Sequence, residues 1–135
     1  VSLKRISRIA GYAWAAPYTA CGLVVGVLVV LFGGTARREQ GVLEIGGGLL
    51  GKALSRLPPR LGFGAITLGH VVLGLDHEML ATLRAHEQVH VRQYARWGPL
   101  FVPAYLLSSL WQALRGRRPY LDNHFEREAY AQAGE

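Results

Sequence analysis

Two imidazoles and a carboxylate stand in the order His86-Glu87-Gln88-Val89-His90, and on a helix this HExxH spacing turns both histidines to one side. With a rise of about 1.5 Å per residue, positions four apart lie about 6 Å apart along the axis, so both rings can reach one metal ion at about 2.0–2.1 Å. Glu87 then lies beside the ion without binding it, placed as a general base toward a water whose pKa zinc lowers to about 7. Such a site needs a third protein ligand and one open position. The competing reading is an ordinary amphipathic helix with two core or surface histidines.

The third ligand has to come from downstream. After Gly98 the chain has an apolar segment from Leu100 to Leu114, a basic turn (Arg115, Gly116, Arg117, Arg118, Pro119), and then a short terminal helix predicted over Asp122 to Tyr130. That helix offers Glu126 and Glu128 as acidic candidates, and Glu126 has a local role of its own as the closing member of an Asn123-x-x-Glu126 capping box, which satisfies free backbone donors at a helix start. His124 is a candidate ligand or a donor to a developing oxyanion, a role open also to Tyr120 and Tyr130.

HExxH followed by Glu126-Arg127-Glu128-Ala129 resembles the gluzincin branch of zinc metallopeptidases, where a Glu in an E-x-x-A pattern on a later helix supplies the third ligand. The resemblance implies His86, His90 and Glu126 as ligands of one catalytic zinc, Glu87 as the catalytic base, and a peptide as substrate. The branch often carries Asp after the Ala, where this chain has Tyr130. From Ile66 onward the chain also resembles a group of short, uncharacterised bacterial membrane-associated proteins that carry Asn-Pro-Phe-Glu where this one has Asn123-His124-Phe125-Glu126.

The elements that must position these groups are legible in outline. Asp76 can cap a helix running through Leu80, Leu83, His86, His90, Gln93 and Trp97 and stopping at Gly98-Pro99. Upstream, Ala36 to Glu39, a Gln40-Gly41 turn and Val42 to Ile45 predict a hairpin that Gly46-Gly47-Gly48 ends. Leu49 to Leu57 predicts a short helix before Pro58-Pro59. Ala65 to Leu73 predicts a third strand, with Gly69 as a bulge or a point of close approach. In zinc peptidases a strand beside the active-site helix commonly takes the substrate backbone as an added strand, and this third strand is placed to do so. His70 and His77 read as structural or surface residues. The expected fold class is α+β: a zincin-like metal-binding domain over 36–135, with a short three-stranded sheet, the active-site helix and two further helices, behind an N-terminal membrane anchor over 1–35.

That anchor rests on the absence of charge from Ile9 to Thr35 and on the apolar run Leu23 to Phe32. About 20 apolar residues span a bilayer core. Trp14 and Tyr18 suit the interfacial belt, and Pro17 suits a helix start. A cleaved signal ending near Gly34-Thr35-Ala36 and a buried core helix are the other two readings. Lys4, Arg5 and Arg8 before the run balance Arg37, Arg38 and Lys52 after it, so the charges leave the orientation open. A net charge of +6 with scattered basic residues points to anionic headgroups rather than nucleic acid. The lone Cys21 forms no intrachain disulfide, and the lack of GxGxxG or another phosphate-binding loop points away from a nucleotide enzyme. The sequence thus predicts a bacterial-type, single-pass, membrane-associated zinc metallopeptidase acting on a peptide or membrane-protein substrate. A non-catalytic partner-binding protein on the same fold and a zinc hydrolase of non-peptide esters are its rivals.

Overall fold

In the computed structural model, which describes residues 2–58 and 63–135, the chain forms five α-helices and a four-stranded mixed sheet. The order is α1 (Leu3–Leu31), β1 (Thr35–Glu39), β2 (Val42–Gly46), α2 (Gly48–Ser55), β3 (Ala65–Leu68), β4 (Val71–Gly74), α3 (His77–Trp97), a 3-10 turn (Gly98–Leu100), α4 (Phe101–Leu114) and α5 (His124–Ala133). The strands lie in the order β1-β2-β4-β3, with β2 and β4 parallel and both outer pairs antiparallel.

Each face of the sheet is covered by one long helix. Alternation along β2 and β4 sends Val42 and Val72 toward Leu80 and Val91 of α3, and Ile45, Val71 and Leu73 toward Val29 of α1. α1 can lie close because its inward positions are small. A methyl group added at Gly11 would meet Ala95, at Gly22 Val71 and Leu68, and at Gly26 Ile45. Ala15 joins Tyr94, Phe101 and Phe125 in a further cluster, so residues on both sides of position 35 share a core. α3 is also fastened to the sheet by charge: Arg84 donates two 3.0 Å hydrogen bonds to the Glu44 carboxylate, which is buried in β2.

Several elements differ from the sequence expectation. The sheet has four strands, because the run expected as one strand from Ala65 to Leu73 folds back on itself at Gly69-His70 to give β3 and β4. A strand-like run hides a two-residue turn. Gly69 takes φ +63°, the positive φ that a II′ hairpin needs at its first central position. It is also the expected point of close approach, since a Cβ there would collide with the backbone and hydroxyl of Thr19 in α1. Pro17 lies in the interior of α1 rather than at its start, because Ser2 caps the helix by accepting from the Arg5 amide. The first hairpin turns at Gln40-Gly41 as expected, with positive φ at both residues. The three glycines join β2 to α2, with Gly46 ending the strand, Gly47 at the helix cap and Gly48 opening the helix; Pro59 of the expected stop lies outside the described residues.

Gly69→Ala combines a strained φ with a collision against α1. It is expected to destabilise the fold by about 1–3 kcal/mol, read as a lower thermal midpoint in detergent, whereas an unchanged midpoint would show that α1 does not press on this turn.

Candidate metal centre

The helix that carries HExxH is delimited as its sequence requires. The Asp76 carboxylate accepts from the Met79 amide at 2.7 Å, and Gly98 at the far end takes a positive φ before Pro99. Between these ends His86, Glu87, Gln88, Val89 and His90 are all buried, because the sheet and the neighbouring helices enclose this stretch of α3.

α5 brings the third group. Nε2 of His86 lies 3.0 Å and Nε2 of His90 3.2 Å from the same oxygen, Oε1 of Glu126, and the two nitrogens are 3.2 Å from each other. Ligands about 2.0–2.1 Å from a tetrahedral zinc stand about 3.3 Å apart, so the triangle already has the size such an ion requires. The three residues are the buried group, among the described residues, whose donor atoms converge closely enough to hold a metal ion.

The outer atoms of each group are tied down. Nδ1 of His90 donates to Oε1 of Gln93 at 2.8 Å, while the Gln93 amide nitrogen donates to the Phe125 carbonyl and to Glu128, each at 3.0 Å. That amide cannot turn over without losing all three bonds, so a neutral His90 ring keeps its proton on Nδ1 and leaves Nε2 as the atom that can bind a metal. Nδ1 of His86 donates likewise to the Glu135 carboxylate at 3.0 Å. The second oxygen of Glu126 accepts from the Tyr105 hydroxyl at 2.6 Å, which leaves Oε1 for the histidines.

Glu126 does not close a capping box. Asn123 caps α5 alone, its side chain accepting from the Phe125 amide at 2.8 Å, and the Glu126 carboxylate points into the cluster instead. Glu87 sits on the same cleft with Oε2 accepting from the Thr67 hydroxyl of β3 at 2.6 Å. Glu128 is engaged by Gln93 and is not among the groups that converge with the histidines. His124 is exposed at the start of α5, in a shallow hollow outside the main cleft, and so is no candidate for ligand or oxyanion donor there. Tyr120 and Tyr130 do line the cleft, with their hydroxyls 3.4 Å apart. The Tyr130 ring packs edge-on against His86, where the gluzincin pattern would have placed a carboxylate. His70 stacks on Tyr12 and His77 bonds Thr35, both away from the site.

Sequence reasoning missed Thr67, Gln93, Tyr105 and Glu135. Only Gln93 carried a signal, since it follows His86 by seven residues and His90 by three on one helical face. Comparison with family models, curated proteins and solved structures finds no match to this chain. The gluzincin resemblance therefore stands on its two short motifs.

The charges of the triangle depend on one another. The Glu126 hydrogen bond raises the His86 pKa above its ordinary value; in His90 burial works downward, and the bond and charge of Glu126 outweigh it. Burial works upward on Glu126, yet the two imidazoles hold its carboxyl well below the usual carboxylate range. Burial and Glu126 both push the Tyr105 hydroxyl up, so it remains a neutral donor.

In metal-stripped protein the histidine contribution is complete below their ordinary 6.5 and is lost as pH rises through the raised values. The carboxylate contribution is complete above its ordinary 4.5 and is lost as pH falls through the depressed value. The cluster should therefore stabilise stripped protein most between these two values. A metal must displace the imidazole protons, so zinc is expected to raise the melting temperature more at about pH 8 than at about pH 6. Melts with and without zinc across that interval check this, and a zinc effect independent of pH would contradict it.

Proposed function

We propose that this chain is a membrane-associated, zinc-dependent metallopeptidase, with His86, His90 and Glu126 holding zinc and Glu87 acting as the base. The observation that carries the reading is the position of the Glu87 carboxylate. It shares one cleft of about 790 Å³ with the three-residue triangle and with the free edge of β3.

That edge has the chemistry to hold a polypeptide. The Leu75 amide donates to the Gly64 carbonyl at 3.2 Å, which in this register makes Ile66–Leu73 and Leu68–Val71 the hydrogen-bonded pairs between β3 and β4. The N–H and C=O groups of Ala65 and Thr67 consequently point away from β4, toward an edge that no described strand covers. An extended substrate can pair with them as an added strand. Thr67 would then serve both partners, its backbone meeting the substrate while its hydroxyl orients Glu87.

A zinc ion held by His86, His90 and Glu126 would supply a Lewis acid for the scissile carbonyl and would acidify a water beside it. Glu87 takes the proton of the attacking water and delivers it to the departing amine, as a general base and then a general acid. Tyr120 and Tyr130, with hydroxyls on the cleft wall, are the available donors to a developing oxyanion. For location, α1 is long and apolar enough to cross a membrane. Its inner stripe is occupied by the sheet and α3, so lipid meets its outer face, where Val24, Val27, Leu28 and Leu31 are exposed.

Glu87→Gln should keep its metal and lose about 10²–10⁴-fold in hydrolysis of a quenched-fluorescent peptide library by the reconstituted protein. Retained turnover, or loss of the metal along with activity, would show that Glu87 is not the base.

A further inference from the structure

α4 is built inside out. Its apolar residues Leu106, Leu107, Leu110, Trp111 and Leu114 are each more than half exposed and fall on one side of the helix. The opposite side, turned toward the protein, is polar beyond the first turn. There the Tyr105 hydroxyl donates to Glu126, and the Ser108 hydroxyl accepts from the His124 amide at 2.9 Å. The Ser109 hydroxyl accepts from the Asn123 side chain at 2.8 Å and donates to the Pro119 carbonyl at 2.9 Å. Gln112 is buried on the same side.

In water this polarity runs against the hydrophobic effect. Four leucines and a tryptophan contiguous on one face form the kind of patch that soluble monomers rarely leave uncovered. Hydrocarbon reverses the preference, since apolar side chains then belong outside and polar groups must find partners within.

The end of the helix indicates which apolar medium this is. α4 runs directly into Arg115, Arg117 and Arg118 with no acidic residue between Phe101 and Asp122. The Arg115 guanidinium lies 5.5 Å from the centre of the Trp111 ring. A tryptophan with arginines at the rim of an apolar face matches the headgroup region of a bilayer carrying negative charge. A groove on another protein would need a compact apolar partner and gives no reason for that basic rim.

We propose that the outer face of α4 lies in the surface of an anionic lipid bilayer, a second membrane contact besides α1, with Leu106, Leu107, Leu110 and Leu114 in the acyl boundary and Arg115 and Arg117 at the phosphates. This rests on the membrane location proposed above and not on the hydrolytic activity. Its consequence is positional. The helix that touches lipid on one side contributes Tyr105 to the cleft on the other, so the cleft opens beside the bilayer and is reached by polypeptide segments emerging from it.

The test uses the full chain with Cys21→Ala, reconstituted in phosphatidylcholine vesicles with or without phosphatidylglycerol. Single cysteines at Leu107→Cys, Leu110→Cys, Val25→Cys on an exposed flank of α1, and Arg127→Cys on α5 carry an environment-sensitive fluorophore. Brominated lipid is expected to quench probes at 107 and 110 at least about twofold more than the probe at 127. Replacing Arg115 and Arg117 by Gln should weaken the dependence on phosphatidylglycerol at 107 and 110 and leave 25 unaffected. Quenching at 25 with 107 and 110 behaving like 127 overturns the proposal while the α1 reading stands. No quenching at 25 or on α4 overturns both. Self-quenching between labelled copies without lipid quenching on α4 also overturns it, and gives the face to a second copy of the chain.

Discussion

A carboxylate withdrawn from water to 4% exposure loses several kcal/mol of hydration unless donors and positive charge replace the solvent. Glu126 meets this requirement with three partners from two other helices: His86 and His90 of α3 on one oxygen and Tyr105 of α4 on the other. α3, α4 and α5 therefore cannot be rearranged independently. Moving any one of them strands a buried charge, which costs more than the pairing itself contributes. The bonds around this centre extend the constraint outward. Gln93 joins His90 to the backbone of α5, and Asn123 joins the start of α5 to α4.

The same helix that carries the histidines also covers the sheet. Leu80 and Val91 of α3 pack on Val42 and Val72, and Arg84 reaches into the sheet to Glu44. The cleft is thus framed on one side by a strand edge and on the other by helices joined through polar bonds. Thr67 bridges the two sides by holding Glu87. α1 supports the assembly from behind the sheet, and it does so through small residues that let its backbone approach, leaving larger apolar side chains on its outer surface.

What was legible in the sequence was local. Asp76 and Gly98-Pro99 marked the ends of α3, HExxH fixed which side of it mattered, and Gln40-Gly41 marked a turn. Each of these is decided within a few residues of chain. The split into β3 and β4 was not legible, because Gly69 inside a strand-like run fits a bulge as well as a turn until its partner strand is known. The role of Glu126 was a choice between two local patterns, and the choice was made by groups 36 and 40 residues earlier in the chain. Tyr105 and Thr67 had no sequence signal, since each is recruited from another element by packing. The polar interruptions Ser108, Ser109 and Gln112 in the apolar segment were visible, but only the fold tells that they face inward.

The central claim is that the His86, His90 and Glu126 triangle is a metal site, and metal content tests it most directly. Elemental analysis of the detergent-purified chain, after zinc reconstitution, should give about one zinc ion per chain in the wild type. His90→Ala and Glu126→Gln should lose that ion while remaining folded by circular dichroism. A folded wild type that takes up no metal would contradict the account, leaving the triangle as a buried ion pair that serves the packing of three helices.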